Sequence, residues 1–181
     1  MNAPDAAAWL ADRLDEDGID YAIGGALALV AWGAPRATAD VDISVFVDTP
    51  ELHRVIGALE RAGVMVPADA AKEIERIGMF RGQLGRTPID VFLSAHPHQH
   101  AMRERRCLME LTEGVERWFV SAEDLVVLKV IYGRPKDDID LQRLLAVRTD
   151  LDLDYVEGWL TKMVPPEDRR LEMFARLRGR P

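Results

Sequence analysis

Cysteine is almost absent from this sequence, and so is any long uncharged stretch. The single cysteine, Cys107, excludes an internal disulfide and a multi-cysteine zinc site, and it is typical of a reducing compartment. The longest uncharged run, Tyr21–Pro35, has 15 residues with three glycines and is too short to span a bilayer. The acidic N-terminus also lacks the basic start of a signal peptide. These absences predict a cytoplasmic protein with no membrane partner.

Positive charge is also scarce. The 181 residues include 23 Lys and Arg against 31 Asp and Glu, which gives a formal net charge of −8 at pH 7. Residues 1–60 hold 11 of the acidic residues and only 3 of the basic ones, so the excess acidity lies in the first third of the chain. A bulk electrostatic hold on nucleic acid is therefore disfavoured, although local basic patches leave room for an RNA contact.

The hydrophobic fraction of 48% is sufficient for a buried core in a chain of about one domain. Strands and helices alternate first and helices come last, which predicts an α/β (α+β) protein with a sheet module over residues 1–110 and a mostly helical part over 111–181. The secondary structure of residues 101–110 is ambiguous. The predicted strands are 19–23, 41–47, 79–84, 89–93 and 115–120, and the predicted helices are 6–17, 26–32, 50–62, 121–132, 137–147, 153–163 and 167–177.

A glycine pair, Gly24-Gly25, separates the first predicted strand from a short predicted helix. Glycines permit a sharp turn and let backbone N–H groups approach a phosphate, and the following helix N-terminus favours an anion. A simple strand-to-helix turn would use the same pair, so the glycines alone do not indicate a binding site.

Two carboxylates mark the start of the strand predicted over 41–47. Because side chains alternate along a strand, Asp40 and Asp42 point to the same face, about 7 Å apart. Like charges so placed repel each other unless a cation lies between them, and Mg²⁺ takes oxygen ligands from one or two carboxylates, phosphates and water. Other Asp-x-Asp pairs occur in the chain, but only this one opens a predicted strand just after a glycine turn.

Asp90 is a third acid, within the apolar strand Pro-Ile-Asp-Val-Phe-Leu. Polar residues are rare in such strands unless they are paired or bind a ligand. If this strand lies beside the strand of Asp40 and Asp42, three carboxylates converge, which suits two metal ions and an in-line phosphoryl displacement. A half-exposed strand position is the alternative interpretation of Asp90.

The order of these motifs resembles the nucleotidyltransferase-fold superfamily, which includes DNA polymerase β. Residues 23–45, together with the later stretch 122–141, are similar to the bacterial branch of the AbiEii/MenT-type toxin nucleotidyltransferases. The resemblance covers most of the chain. It implies a small mixed sheet flanked by helices, the nucleotidyltransferase fold, with a helical C-terminal part.

The resemblance also implies a role for each acid. Asp40 and Asp42 would bind Mg²⁺, in a two-metal site with Asp90 as the third carboxylate. Asp90 would orient or deprotonate the hydroxyl of the acceptor. That hydroxyl would attack the α-phosphate of a nucleoside triphosphate such as ATP, and pyrophosphate would leave.

Phosphate binding is implied for a second group of residues. Gly24 and Gly25 would hold the β- and γ-phosphates, and Lys129 would point toward them from its helix. Arg36 would contact a phosphate or pair with a nearby acid. Structural alternatives remain for Lys129, which lies among apolar residues and could reach solvent or pair with an acid of the next helix.

One position departs from the pattern of the superfamily. Many members have Ser or Thr directly after the glycine pair, where the hydroxyl touches a phosphate, whereas this chain has Ala26. Thr38, two residues before Asp40, could supply a hydroxyl there or only shape the turn. Ala26 favours a competing interpretation, in which the chain is a non-catalytic module that binds a nucleotide or a partner protein.

Three of the four histidines lie at His96, His98 and His100. Alternating histidines can bind zinc, but a polar loop after the strand of Asp90 is the favoured interpretation. The acceptor of the transferred nucleotide is left open between RNA such as tRNA, a protein hydroxyl and a small molecule such as an antibiotic. By resemblance, RNA or protein is favoured, with the chain as a toxin that has a cognate antitoxin.

Overall fold

The computed structural model describes residues 1–93 and 96–179 of the chain. Its strands are β1 (Tyr21–Ile23), β2 (Val41–Val45), β3 (Met79–Leu84), β4 (Thr87–Phe92), β5 (Cys107–Thr112) and β6 (Val115–Phe119). Its α-helices are α1 (Ala3–Glu16), α2 (Gly25–Ala31), α3 (Leu52–Arg61), α4 (Ala70–Ile77), α5 (His98–Arg105), α6 (Ala122–Tyr132), α7 (Pro135–Val147), α8 (Leu153–Met163) and α9 (Arg169–Arg178). None of the described helices is long and apolar enough to cross a membrane.

Within the described residues the strands form one mixed sheet, in the order β3-β4-β2-β1-β6-β5. Strand β2 is parallel to β4 and antiparallel to β1, and the β3–β4 and β5–β6 hairpins form the two edges. This mixed sheet flanked by helices confirms the predicted fold class. The β5–β6 hairpin crosses the predicted boundary at residue 110 and joins the same sheet, so the division of the chain into two parts stays a prediction.

The sequence of β2 explains why this strand lies at the centre of the sheet. Its apolar side chains Val41, Ile43 and Val45 are all fully buried. Alternation places Asp42 and Ser44 on the opposite face. The strand therefore buries its apolar side in the core, and Asp42 and Ser44 on its polar side line a cavity.

Helix α6 lies across a cavity from this polar face and begins with the predicted capping signature. The Ser121 hydroxyl accepts a hydrogen bond from the Asp124 N–H at 3.1 Å, and the helix ends at Gly133, whose φ of +56° glycine adopts without strain. Its apolar residues are buried on nearly every side, which is typical of a central helix. Lys129 lies in the last turn of this helix.

Two segments differ from the sequence analysis. Helix α4 was not predicted: Ala70, Ile74 and Ile77 have helical spacing, but the helix has only eight residues and buries only the first two of these. The ambiguous stretch 101–110 divides at Arg106, between α5 and β5. The prediction of a polar loop was wrong for His98 and His100, since both lie in α5.

Candidate active site

The two acidic strands are neighbours, as the sequence argument required. Strands β2 and β4 run parallel, and Asp42 lies in register with Asp90. Asp40 precedes β2 in a bend, close enough for its charge to act on Asp42. Three carboxylates separated by up to 50 positions in sequence therefore lie close together beside β2 and β4.

Asp42 has the strongest electrostatic signal of the three. Burial, together with the charges of Asp40 and Asp90, raises the pKa of Asp42 from 3.8 to about 6, although Arg134 and Lys136 act in the opposite direction. A partly buried carboxylate beside two others is costly to ionise, and a bound cation would remove that cost.

The glycine pair directly contacts this carboxylate. The Gly24 N–H donates a hydrogen bond to the backbone oxygen of Asp42 at 2.8 Å. Gly25 has a φ of +56°, and a Cβ there would lie 1.8 Å from Oδ2 of Asp42. A Cβ on Gly24 would meet nothing closer than 3.8 Å. Gly25 is therefore the position at which only glycine allows the turn to approach Asp42.

We expect Gly25→Ala to lower the free energy of unfolding by about 1–3 kcal/mol, because it combines a strained φ with a clash at Asp42. Gly24→Ala is the matched control, since its Cβ would make an ordinary van der Waals contact. Urea unfolding of both variants measures the difference. Equal losses at the two positions would contradict this account of the glycine pair.

The other two acids already have partners. Both oxygens of Asp90 accept hydrogen bonds from Arg81, each at 2.6 Å, and Asp40 accepts one from the Thr38 hydroxyl. Burial by itself raises the pKa of Asp40, but hydrogen bonds from Thr38 and the backbone, with the charges of Lys136 and Arg81, lower it overall. Asp90 is thus engaged with a cation from its own hairpin.

These pairings bear on whether the residues fit a metal ion. Among the described residues, no group of three or more His, Cys, Asp or Glu side chains is arranged as a metal cluster. Mg²⁺ typically takes only one or two protein carboxylates, with phosphates and water as its other ligands. Asp40 and Asp42 meet that requirement, and the raised pKa of Asp42 is the property that a bound cation would reverse. The donor set therefore fits Mg²⁺.

Lys129 is buried, and its ammonium is held by carboxylates. Its Nζ lies 2.7 Å from Oδ2 of Asp140 and 3.3 Å from Oδ1 of Asp137, and both acids are buried in α7. The guanidinium of Arg36 lies 3.2 Å from the other oxygen of Asp140. Lys129 and Arg36 therefore meet in one buried charge network that joins α6 to α7. Both residues thus pair with nearby acids, which was the alternative to phosphate binding. Their binding of phosphates remains a prediction.

Sequence reasoning missed two basic residues that face the acids. Arg134 and Lys136 follow α6, and their charges reach Asp42. Arg134 is oriented by Asp137, whose Oδ2 lies 2.7 Å from its Nε, and by the ring of Tyr132. The signal in the sequence was Gly-Arg-Pro-Lys, where Pro135 starts α7 and places both cations at its first turn.

A cavity of about 360 Å³ separates the acidic sheet face from helices α5 and α6. The glycine pair, Asp42 and Ser44 line one side, and Lys129 and Arg134 line another. The remaining wall is largely apolar and includes His98 of α5. The cavity therefore connects Asp42 and the glycine pair with the apolar wall around His98, which the sequence analysis did not identify as part of the site.

Comparison with known proteins supports the fold and a family. Residues 10–175 match the family described as nucleotidyltransferase of unknown function (DUF6036). No curated protein sequence matches the chain significantly.

Solved structures share the fold at low sequence identity. The solution structure of the antibiotic-resistance factor ANT(2'')-Ia has a TM-score of 0.57 and 17% identity, over 90% of this chain and 92% of the other. Its crystal structure with adenylyl-2''-tobramycin has a TM-score of 0.53 and 15% identity, over 97% of each chain. The lincomycin-bound lincosamide antibiotic adenylyltransferase LnuA has a TM-score of 0.56 and 13% identity, over 80% of this chain and 97% of the other.

Proposed function

Because this chain belongs to the nucleotidyltransferase family DUF6036, we propose that it transfers a nucleoside monophosphate from a nucleoside triphosphate such as ATP to an acceptor hydroxyl. The observation that carries the proposal is the position of Asp42. It is partly buried, in register with Asp90, close to Asp40 and in contact with the glycine turn. In the proposed site, Asp40 and Asp42 would hold Mg²⁺.

Residues of this chain would bind and orient the triphosphate. The turn at Gly24 and Gly25 lines the cavity beside Asp42 and begins α2, whose first N–H groups would bind phosphate oxygens. Arg134 and Lys136 add positive charge on the opposite side, where negative charge develops as pyrophosphate leaves. When bound, Mg²⁺ supplies Lewis-acid polarisation of the phosphoryl oxygens.

We propose a small molecule as the acceptor. The cavity of about 360 Å³ lies between the sheet and two helices, which suits a compact ligand better than a macromolecular surface. The net charge of −8 also disfavours a polyanionic partner. ANT(2'')-Ia is an antibiotic-resistance factor and LnuA is a lincosamide antibiotic adenylyltransferase, and both agree with a small acceptor. The competing prediction is transfer to tRNA or protein. In that case the chain would be a toxin similar to the AbiEii/MenT-type nucleotidyltransferases, with an antitoxin as its partner.

The test supplies each α-labelled nucleoside triphosphate with Mg²⁺ and three separate acceptor pools. These pools are a filtered small-molecule extract, total small RNA and cell protein. We expect label in the small-molecule pool with the wild type and with Asp48→Asn, an exposed control, but not with Asp42→Asn. Label in RNA or protein would replace the proposed acceptor, and no label in any pool would favour the non-catalytic module.

A further inference from the structure

A buried hydrogen-bond network ends at the wall of the active-site cavity. Asp124 of α6 is fully buried and accepts three hydrogen bonds. Its donors are the Ser121 hydroxyl at 2.6 Å, the Tyr155 hydroxyl at 2.7 Å and Nε2 of His98 at 2.8 Å. Three elements, α5, α6 and α8, thus converge on one carboxylate that has no contact with solvent.

This network sets the orientation and the tautomer of His98. A carboxylate can only accept, so the hydrogen facing Asp124 is assigned to Nε2 and the lone pair of the neutral ring lies on Nδ1. Among the residues that the structure describes, none makes a hydrogen bond to Nδ1 of His98. Trp159 packs against the imidazole with ring centroids 5.0 Å apart and holds it in place. The ring lines the same cavity as Asp42 and the glycine pair.

The pairing of Asp90 with Arg81 leaves the acceptor hydroxyl in need of another base. The superfamily resemblance assigns deprotonation of the acceptor hydroxyl to this third carboxylate. In this chain both Asp90 oxygens are engaged by the Arg81 guanidinium, each at 2.6 Å. An acceptor hydroxyl would have to compete with these two charge-assisted hydrogen bonds to reach either oxygen of Asp90. A neutral imidazole oriented by a buried carboxylate is a well-established arrangement for taking a proton from a hydroxyl.

We propose that His98, oriented by Asp124, receives the proton of the acceptor hydroxyl in the transfer reaction, an inference that rests on the proposed function. The hydroxyl oxygen forms a bond to the α-phosphorus as the bond from that phosphorus to the bridging oxygen breaks. Pyrophosphate leaves with the electron pair of the broken bond, and the hydroxyl proton passes to Nδ1 of His98. Asp124 stabilises the imidazolium that forms, and Ser121 and Tyr155 keep Asp124 in position.

The test compares His98→Ala with His100→Ala, which removes an exposed histidine of the same helix. Transfer is measured with the acceptor pool that the wild type labels. We expect His98→Ala to lower kcat by about 100-fold or more, the usual contribution of a general base. The affinity for Mg²⁺-ATP, measured by calorimetry, should be unchanged. His100→Ala should match the wild type.

Chemical rescue separates a proton acceptor from a structural link between helices. Added imidazole should restore part of the kcat of His98→Ala, and methylimidazole, a stronger base, should restore more than the weaker base triazole. A link that only holds helices together would show no such order. His98→Gln provides a second variant in case His98→Ala does not fold, because its amide can still donate to Asp124. It should retain the melting temperature and lose a similar factor in kcat.

Each result bears on one proposal. Undiminished kcat in either His98 variant, or rescue that does not follow the basicity of the added azole, overturns the role of His98 while the transferase stands. A wild-type protein that labels none of the acceptor pools overturns the proposed function, and this inference falls with it.

Discussion

Asp42→Asn is expected to reduce nucleotide transfer by about a thousand-fold, the upper range for losing one group that stabilises the transition state. The amide keeps the size of the side chain but cannot supply the charge that a divalent cation requires at this position. Initial rates with the labelled triphosphate at saturating Mg²⁺ measure the effect. Retention of more than a tenth of the wild-type rate by a folded Asp42→Asn protein would exclude Asp42 as a metal ligand.

The same substitution should stabilise the protein without metal at pH 8. Because the pKa of Asp42 is raised from 3.8 to about 6, folding favours its protonated form, and its contribution to stability is lost as the pH rises through 6. One pKa unit corresponds to about 1.4 kcal/mol, so Asp42→Asn should gain on the order of 3 kcal/mol at pH 8 and little at pH 4.

Asp40→Asn is the matched comparison for this gain. The pKa of Asp40 is lowered, so its ionised form is already favoured by the fold and its removal should bring no increase in stability at pH 8. Urea unfolding with a chelator present, and again with excess Mg²⁺, measures both variants. Mg²⁺ should stabilise the wild type more than either variant, and equal stabilisation of all three would count against this site.

Lys129→Met should be the most destabilising substitution in the chain's charge networks, with a loss of about 3–5 kcal/mol in the free energy of unfolding. The ammonium is buried and contacts Asp137 and Asp140, whose carboxylates are both fully buried. Without Lys129 these two like charges would lie together, with Arg36 and Arg134 as their remaining cations. Urea unfolding at pH 7 gives the measurement.

A double variant distinguishes structural pairing from phosphate binding by Lys129. Adding Asp140→Asn to Lys129→Met removes one of the stranded charges and should recover part of the lost stability. If the lysine acted mainly on the triphosphate, Lys129→Met would instead retain its stability and lose affinity for Mg²⁺-ATP. Calorimetric titration beside the unfolding series separates the two roles.

Local sequence patterns were sufficient for most of the fold. Helix α8 and strand β3 have the predicted bounds. The spacing of their apolar residues indicates the type of element, and the helix- or strand-breaking residues on either side indicate where it ends. Helices α4 and α5 were not predicted, because each has only eight residues and buries only two of them, so the apolar pattern of either helix is brief.

The sequence by itself determined the fold class, the glycine turn, and the two acidic strands whose pairing brings Asp42 beside Asp90. Only the tertiary structure decided which charge each side chain meets. Arg81 binds Asp90, Lys129 binds Asp137 and Asp140, and His98 reaches Asp124 from 26 positions away. The physical reason is that periodicity reports which face of an element is buried, whereas ion pairs and hydrogen bonds depend on the separate elements that packing brings within about 3 Å of each other.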